Sequence, residues 1–312
     1  MDFHTAAAFH TPPSFPHVCL DPDTPPLPDE LMEEAACTSP TSLLQLSIAA
    51  VDCFNILYGL HRLALAVSSR WQGRVPRLTL SNLLYEAQFT ILSVPDFSCE
   101  FLDFDRDFRE EQDEDEDYEQ KKSKADAASV VEGLLAAILI FVYAAFRALP
   151  TNAKLFTILL DRLRIPLHRP QASVIEVWKR EKNLNMLIWV LVVACSVAPL
   201  ESRGWWIAML SAVCEEMQVT SRLDLEEILR RVVWTDVFFD GELSGVWMEV
   251  LRLRRPVGAG YCLGEASTGN ADPSLLATQT WDKEVEWSDD GPGYEAPVEF
   301  EEGRWKIDNW YI

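Results

Sequence analysis

Apolar residues recur at three- and four-residue steps along most of the middle of the chain, which is the spacing of α-helices that bury one or more faces. No run of alternating apolar and polar residues marks a β-strand. The pattern therefore predicts an all-α fold, a multi-helix bundle or array. The predicted helices occupy residues 42–63, 78–92, 125–149, 153–163, 174–197, 203–219, 224–238 and 242–251.

Prolines mark both ends of this helical region. Those within residues 1–40 predict a disordered, polyproline-like arm. The three histidines of the arm, His4, His10 and His17, are expected to be solvated rather than to form a metal site. Pro256 ends the helical pattern, because a proline cannot continue the backbone hydrogen-bond ladder. The predicted organisation is an arm over 1–40, a helical domain over 41–255 and a tail over 256–312.

Acidic residues outnumber basic ones by 49 to 27 and are concentrated in two segments. Twelve of the twenty residues in 100–119 are Asp or Glu, and such a density of like charge predicts an unfolded loop, 100–124, inserted between helices. The segment 264–312 mixes twelve acids with seven aromatic residues. That composition is typical of activation segments that dock into a partner's groove, and packing of the tail onto the helical domain is the alternative. The net charge of −22 argues against direct nucleic-acid binding.

The seven cysteines are scattered, and no two are closer than sixteen positions. This spacing argues against a zinc cluster or a redox pair, and the sequence predicts no metal and no other cofactor. Cys195 and Cys214 are interpreted as small core residues. Two apolar runs, 133–146 and 186–200, are shorter than the roughly 20 residues that span a bilayer. They predict buried core helices and no membrane contact.

The segment 203–251 carries a longer motif. It has an R-x-W-Φ step (Φ, apolar), a helix that contains a cysteine, an I-L-R-x-Φ-V-W-x-D run and a further tryptophan. The residues that form this pattern are Arg203, Trp205, Trp206, Leu210, Cys214, Glu226, Ile228, Leu229, Val233, Trp234, Asp236, Asp240 and Trp247. The pattern resembles the C-terminal part of the fungal-specific transcription factor domain, an α-helical regulatory region that commonly follows a zinc binuclear cluster.

The resemblance implies a regulatory domain without its DNA-binding module. The family's zinc cluster needs six closely spaced cysteines, and only Cys19 and Cys37 precede the helical region here. Trp234 and Asp236 either border an effector pocket or serve packing and capping. The second interpretation is favoured, because large aromatic residues on an apolar helical stripe are usually core. The resemblance implies as site residues, in a structural role or in an effector pocket, Arg203, Trp206, Cys214, Trp234, Asp236 and Trp247.

These features together predict a non-enzymatic, transcription-regulator-like protein of the nucleus, or of nucleus and cytoplasm. Its expected partners are proteins, such as DNA-bound regulators or coactivators, with a small effector as a further ligand. One alternative is a helical enzyme or small-molecule-binding protein whose site is assembled from distant residues, although the sequence carries no nucleophile elbow, H-E-x-x-H motif or P-loop. A membrane-associated helical hairpin is a third hypothesis.

Overall fold

A computed structural model of the chain describes residues 3–14, 24–107, 116–169 and 173–254, together with residues 300, 301, 304 and 305. The chain divides into two compact units, Met1–Arg255 and Pro256–Ile312. In the second unit the described residues form two antiparallel strands, β1 (Phe300–Glu301) and β2 (Arg304–Trp305). The first unit is an array of helices, so the all-α prediction is confirmed.

The described helices of the first unit run in chain order with short connections. They are α1 (Phe3–Phe9), α2 (Asp29–Thr38), a 3₁₀ turn (Thr41–Gln45), α3 (Ala50–Val67), α4 (Arg77–Ser93), α5 (Ser98–Asp107), α6 (Glu116–Phe141), a π-helical turn (Val142–Phe146), α7 (Lys154–Leu167), α8 (Val174–Arg180), α9 (Leu184–Val197), α10 (Leu200–Glu216), α11 (Arg222–Val232) and α12 (Asp236–Arg254).

Two apolar helices form the centre of the array. Every residue from 125 to 143, on α6 and its π-helical extension, is buried, and so is every residue from 186 to 198, on α9. The helices α5, α7 and α9 pack around α6, while α10, α11 and α12 pack around α9. The two apolar runs of the sequence are therefore core, as predicted.

Two helical segments, 50–67 and 118–146, are long and apolar enough to cross a bilayer by length and composition alone. In the most apolar window of 118–146, 94% of the residues are buried within the protein. Core helices of globular proteins have the same composition, and this burial identifies 118–146 as such a helix.

The N-terminal region differs from the predicted disordered arm in the residues that are described there, 3–14 and 24–40. Both α1 and α2 lie within it. Leu31 and Ala35 are one helical turn apart on α2 and are completely buried. Pro28 directly precedes α2, at the end of a helix where its missing N–H is least costly. The prolines thus define the start of a helix rather than prevent one.

The acidic segment also differs from prediction, because residues 98–107 form α5 and residues 116–119 begin α6. Residues 108–115 of the predicted loop lie outside the described residues. The ring of Phe101 is buried against α6, and Lys124 forms an ion pair with Glu100 at 2.9 Å. Apolar burial and bases from elsewhere in the chain thus offset the repulsion among the acids.

Several predicted helix ends move when the fold is known. Helix α7 continues to Leu167 through Pro166, whose ring packs near Gly133 of α6. The predicted helix 174–197 is interrupted after α8, where Lys182 has a left-handed φ of 58°. The capping box of α11 is formed by Ser221 and Asp224, so this helix begins at Arg222, two residues before the predicted start at 224.

A buried ionic junction joins α5, α6 and α8 to Arg169, which lies two residues past the end of α7. The guanidinium of Arg169 donates to both carboxylate oxygens of Asp105, at 2.7 and 3.0 Å, and to Asp126 at 2.7 Å. Arg180 pairs with the other oxygen of Asp126. The side chains of Arg169 and Asp126 are only 3% and 1% exposed. Burial opposes the charge of Arg169, but Asp105 and Asp126 outweigh it and raise its pKa.

Replacement of Arg169 by Met should lower the free energy of unfolding by about 3–5 kcal/mol, because two carboxylates in or near the core lose their main partner. Chemical denaturation measures this change. The matched control is Arg231→Met, which breaks an ion pair with Glu227 in which both side chains are about two-thirds exposed. The control should cost about 0–1 kcal/mol. Equal effects of the two substitutions would contradict the assigned role of the junction.

Candidate functional site

An open groove of about 510 Å³ lies between α5 and α7. Cavities of this size accommodate small molecules or the side chains of a docked helix. Its exposed lining is mainly apolar. The residues that line it are Phe101, Leu102 and Asp105 of α5, Asp161, Arg164, Ile165 and His168 at or near the end of α7, and Arg169.

Helical periodicity places these side chains in the groove. On α7 the four lining positions are separated by three, four and seven residues from Asp161, so they share one face of the helix. Leu102 and Ile165 are 46% and 50% exposed, although both are large and apolar. Phe101, next to Leu102, is 1% exposed and holds α5 against the core. The groove therefore presents apolar walls to solvent on a well-packed base.

The charges of the groove are unevenly satisfied. Asp105 and Arg169 neutralise one another within the ionic junction. The guanidinium of Arg164 lies 5.0 Å from the centre of the Trp205 ring, and the His168 ring stacks on the same indole at 6.4 Å. Among the described residues, Arg164 has no carboxylate within ion-pair distance, and Asp161 is the other unpaired charge of the lining. A ligand with an apolar body and an anionic end fits this arrangement.

A second cluster lies beside Arg162 of α7, where His10, Asp96 and Glu132 bring three donor atoms within 4.8 Å of one another. Such a set could hold a metal ion. Arg162, however, lies 2.6 Å from Nε2 of His10 and 3.1 Å from Glu132. Because a guanidinium can only donate and already supplies positive charge, it competes directly with a metal. We interpret the cluster as an ion-pair network. His10 is thus a packed side chain, contrary to the expectation that it is solvated, whereas His4 is exposed although its ring lies against Tyr143.

Three of the six residues implied by the resemblance lie on α10. Arg203 is 3.3 Å from the carboxylate of Glu249 on α12. Trp206 is 3% exposed and Cys214 is completely buried. Burial raises the pKa of the Cys214 thiol to about 11, which leaves little nucleophilic thiolate. These side chains serve helix packing, and none of them lines the groove.

The other three residues lie on or beside α12. Trp234 occupies the link between α11 and α12 and is 8% exposed. Trp247 is 6% exposed and lies beneath the guanidinium of Arg254, at 5.7 Å. Asp236 is the first residue of α12, and its side chain is outside the described part of the structure. The two tryptophans thus occupy core positions.

Sequence reasoning missed the groove for a specific reason. A helix that ended at residue 163 would lack Arg164, Ile165 and His168, which are three of the four side chains on the α7 face of the groove. The opposite wall fell in the segment predicted to be a loop. Trp205, a residue of the motif, contacts the groove side chains Arg164 and His168. The recurrence of polar residues at 161, 164 and 168 was a signal of the α7 face, had the helix been extended past Pro166.

In comparisons with protein-family models, with curated proteins and with solved structures, nothing matches this chain.

Proposed function

We propose that this chain is a non-enzymatic, transcription-regulator-like protein that acts through effector binding and protein contacts, without a zinc cluster of its own. The observation that carries the proposal is the groove between α5 and α7. It combines exposed apolar walls with Arg164, a cation that is poised on an aromatic ring and has no carboxylate partner among the described residues. The effector class that suits it is a small amphipathic anion.

The geometry supports binding in preference to chemistry at this groove. Its best-fixed charges, Arg169 and Asp105, form a bidentate pair that leaves neither group available as an acid or base. Leu102 and Ile165, which are both about half exposed, present apolar side chains to the groove. An apolar surface with one accessible cation favours reversible retention of an amphipathic ligand.

The resemblance to the fungal regulatory domain supports the second half of the proposal. Trp205, a residue of the resembling motif, contacts both Arg164 and His168. A ligand in the groove would therefore act on α10 through Trp205, and α10 packs against α9 and α12. The acidic-aromatic tail over 256–312 provides a segment through which a bound state could act on coactivators.

The groove is tested with 1-anilinonaphthalene-8-sulfonate, a fluorescent amphipathic anion. Full-length protein should bind the dye, and Ile165→Glu should weaken binding about tenfold or more, because it places a carboxylate in the apolar wall near Arg164. Fluorescence titration gives the two dissociation constants. The matched control is Leu223→Glu, at a 69% exposed leucine on α11. If both substitutions change dye binding equally, the groove is not the binding site.

The regulatory half is tested by tethering the full chain to a foreign DNA-binding domain upstream of a reporter gene. Activation is expected, and the double substitution Trp305→Ala and Trp310→Ala should reduce it, because docking of tail aromatics supplies the contact. Reporter output is normalised to protein level by immunoblot. An absence of activation by the unmodified chain at normal expression would refute this half of the proposal and leave the binding half standing.

A further inference from the structure

The helix α1 has only seven residues, which is too short to be stable alone in water. It is helical because it packs against α4 and α7. Ala6 and Ala7 are 2% and 0% exposed in this contact. The ring of Phe3 meets Tyr85 edge-on, with centroids 5.2 Å apart. The short helix is therefore held almost entirely by tertiary contacts.

The residues by which α1 makes these contacts follow a recognisable spacing. Phe3, Ala6, Ala7 and His10 occupy positions i, i+3, i+4 and i+7. This is the spacing with which a helical peptide inserts its anchoring residues into a groove of another protein. The small residues at the two central positions allow the backbone to approach the receiving surface closely. α1 thus resembles a bound peptide that belongs to the same chain.

His10 forms the polar end of this contact. Its Nδ1 lies 3.2 Å from Asp96 and 4.0 Å from Glu132, and its Nε2 lies 2.6 Å from Nη2 of Arg162. Arg162 can only donate, so Nε2 accepts and the proton of the neutral ring is on Nδ1, facing Asp96. Protonation of His10 would turn Nε2 into a second donor that opposes the guanidinium.

The surface beneath α1 contains buried polar groups that need hydrogen-bond partners, and a purely apolar helix could not supply them. Glu132 lies in the apolar part of α6 with its side chain 4% exposed, and it accepts from the backbone N–H of Phe97 at 2.8 Å. Arg162 contacts Glu132, but within the described part of the chain its buried Nε and Nη1 have no hydrogen-bond partner. Tyr143 lies against His4, with ring centroids 4.9 Å apart. These groups can be recognised by a ligand with a suitably placed acceptor.

We propose that the surface formed by Tyr85, Asp96, Glu132, Tyr143 and Arg162 is a helix-binding site that α1 occupies as an internal ligand. The partner it fits is a short helix with an aromatic residue, two small residues three and four positions later, and a neutral histidine one turn beyond them. A partner of this chemistry competes with α1 for the surface. The site is separate from the groove between α5 and α7 and does not depend on its function.

The occupation of this site depends on pH. Burial and the neighbouring Arg162 lower the pKa of docked His10 from 6.5, against the opposing effect of Glu132 and Asp96. Undocked His10 therefore binds a proton more readily than docked His10. Docking of α1 is strongest above the pKa of undocked His10. It weakens as the pH falls from that value toward the lower pKa of docked His10, and below the lower pKa it changes no further. Mild acidification thus weakens the docking of α1 and of any competitor that carries the same histidine.

The test uses a fluorescein-labelled peptide of residues 1–14 and the full chain with Ala7→Asp, which places a charge at a completely buried position and displaces the chain's own α1. Fluorescence anisotropy should show binding of the peptide to this variant. The unmodified chain should bind at least about tenfold more weakly, because its own α1 is present at an effective concentration in the millimolar range. Affinity for the variant should fall between pH 7.5 and 5.5.

Two control peptides make the result specific. A peptide with Ala7→Asp should not bind, and a peptide with His10→Ala should bind more weakly but without the dependence on pH. If the unmodified peptide fails to bind the folded Ala7→Asp chain, or if the Ala7→Asp peptide binds equally well, the proposal is wrong.

A second measurement covers the case in which the Ala7→Asp chain does not fold. In the unmodified chain, hydrogen exchange of the amides around α1 should be faster than that of α9 and should accelerate below pH 6.5, after correction for intrinsic rates. Exchange of α1 only with global unfolding, at the same protection as α9, would overturn the proposal.

Discussion

The guanidinium of Arg169 is the group on which the arrangement of the first half of the helical unit depends. It donates to Asp105 on α5 and to Asp126 on α6, and it lies two residues past the end of α7. Three helices therefore meet at one buried cation. Because both carboxylates would be costly to leave near the core without a partner, the helices that carry them are held in register with the end of α7.

The groove between α5 and α7 is a consequence of this constraint. Arg169, which is buried, lines it together with Leu102 of α5 and Ile165 of α7. The cation also resolves a conflict in composition, since α5 belongs to the most acidic stretch of a chain whose net charge is −22. Asp105 is neutralised locally, and Phe101 supplies apolar burial beside it. A helix that repels itself in isolation becomes stable when docked.

The parts of the fold that could be predicted from the sequence are those whose signal is local. The buried helices α6 and α9 are continuous apolar runs, and α4 begins and ends within a residue of its predicted bounds. The missed elements depend on distant partners. α5 needs Arg169, more than sixty positions away, and α1 needs α4 and α7. The composition of these two segments shows their acids and prolines, but it does not show which distant residues stabilise them as helices.

The candidate site follows the same division. The motif over 203–251 was found because its residues are close in sequence, and in the structure Trp206, Cys214, Trp234 and Trp247 are buried in helix packing. The groove joins residues near 102 to residues near 165 through one ion pair. No local sequence pattern predicts that these two regions lie side by side. The polar face of α7 was a partial signal, but the predicted helix ended at residue 163 because Pro166 was expected to stop it.

A double-mutant cycle between Asp105 and Arg169 tests most directly whether α5 is held by the buried cation. The free energies of unfolding of the original protein, Asp105→Asn, Arg169→Gln and the double variant are measured by chemical denaturation. The structure predicts a favourable coupling of about 1–3 kcal/mol between the two side chains. Additivity within about 0.5 kcal/mol would contradict it, because the two side chains would then contribute independently to the free energy of unfolding.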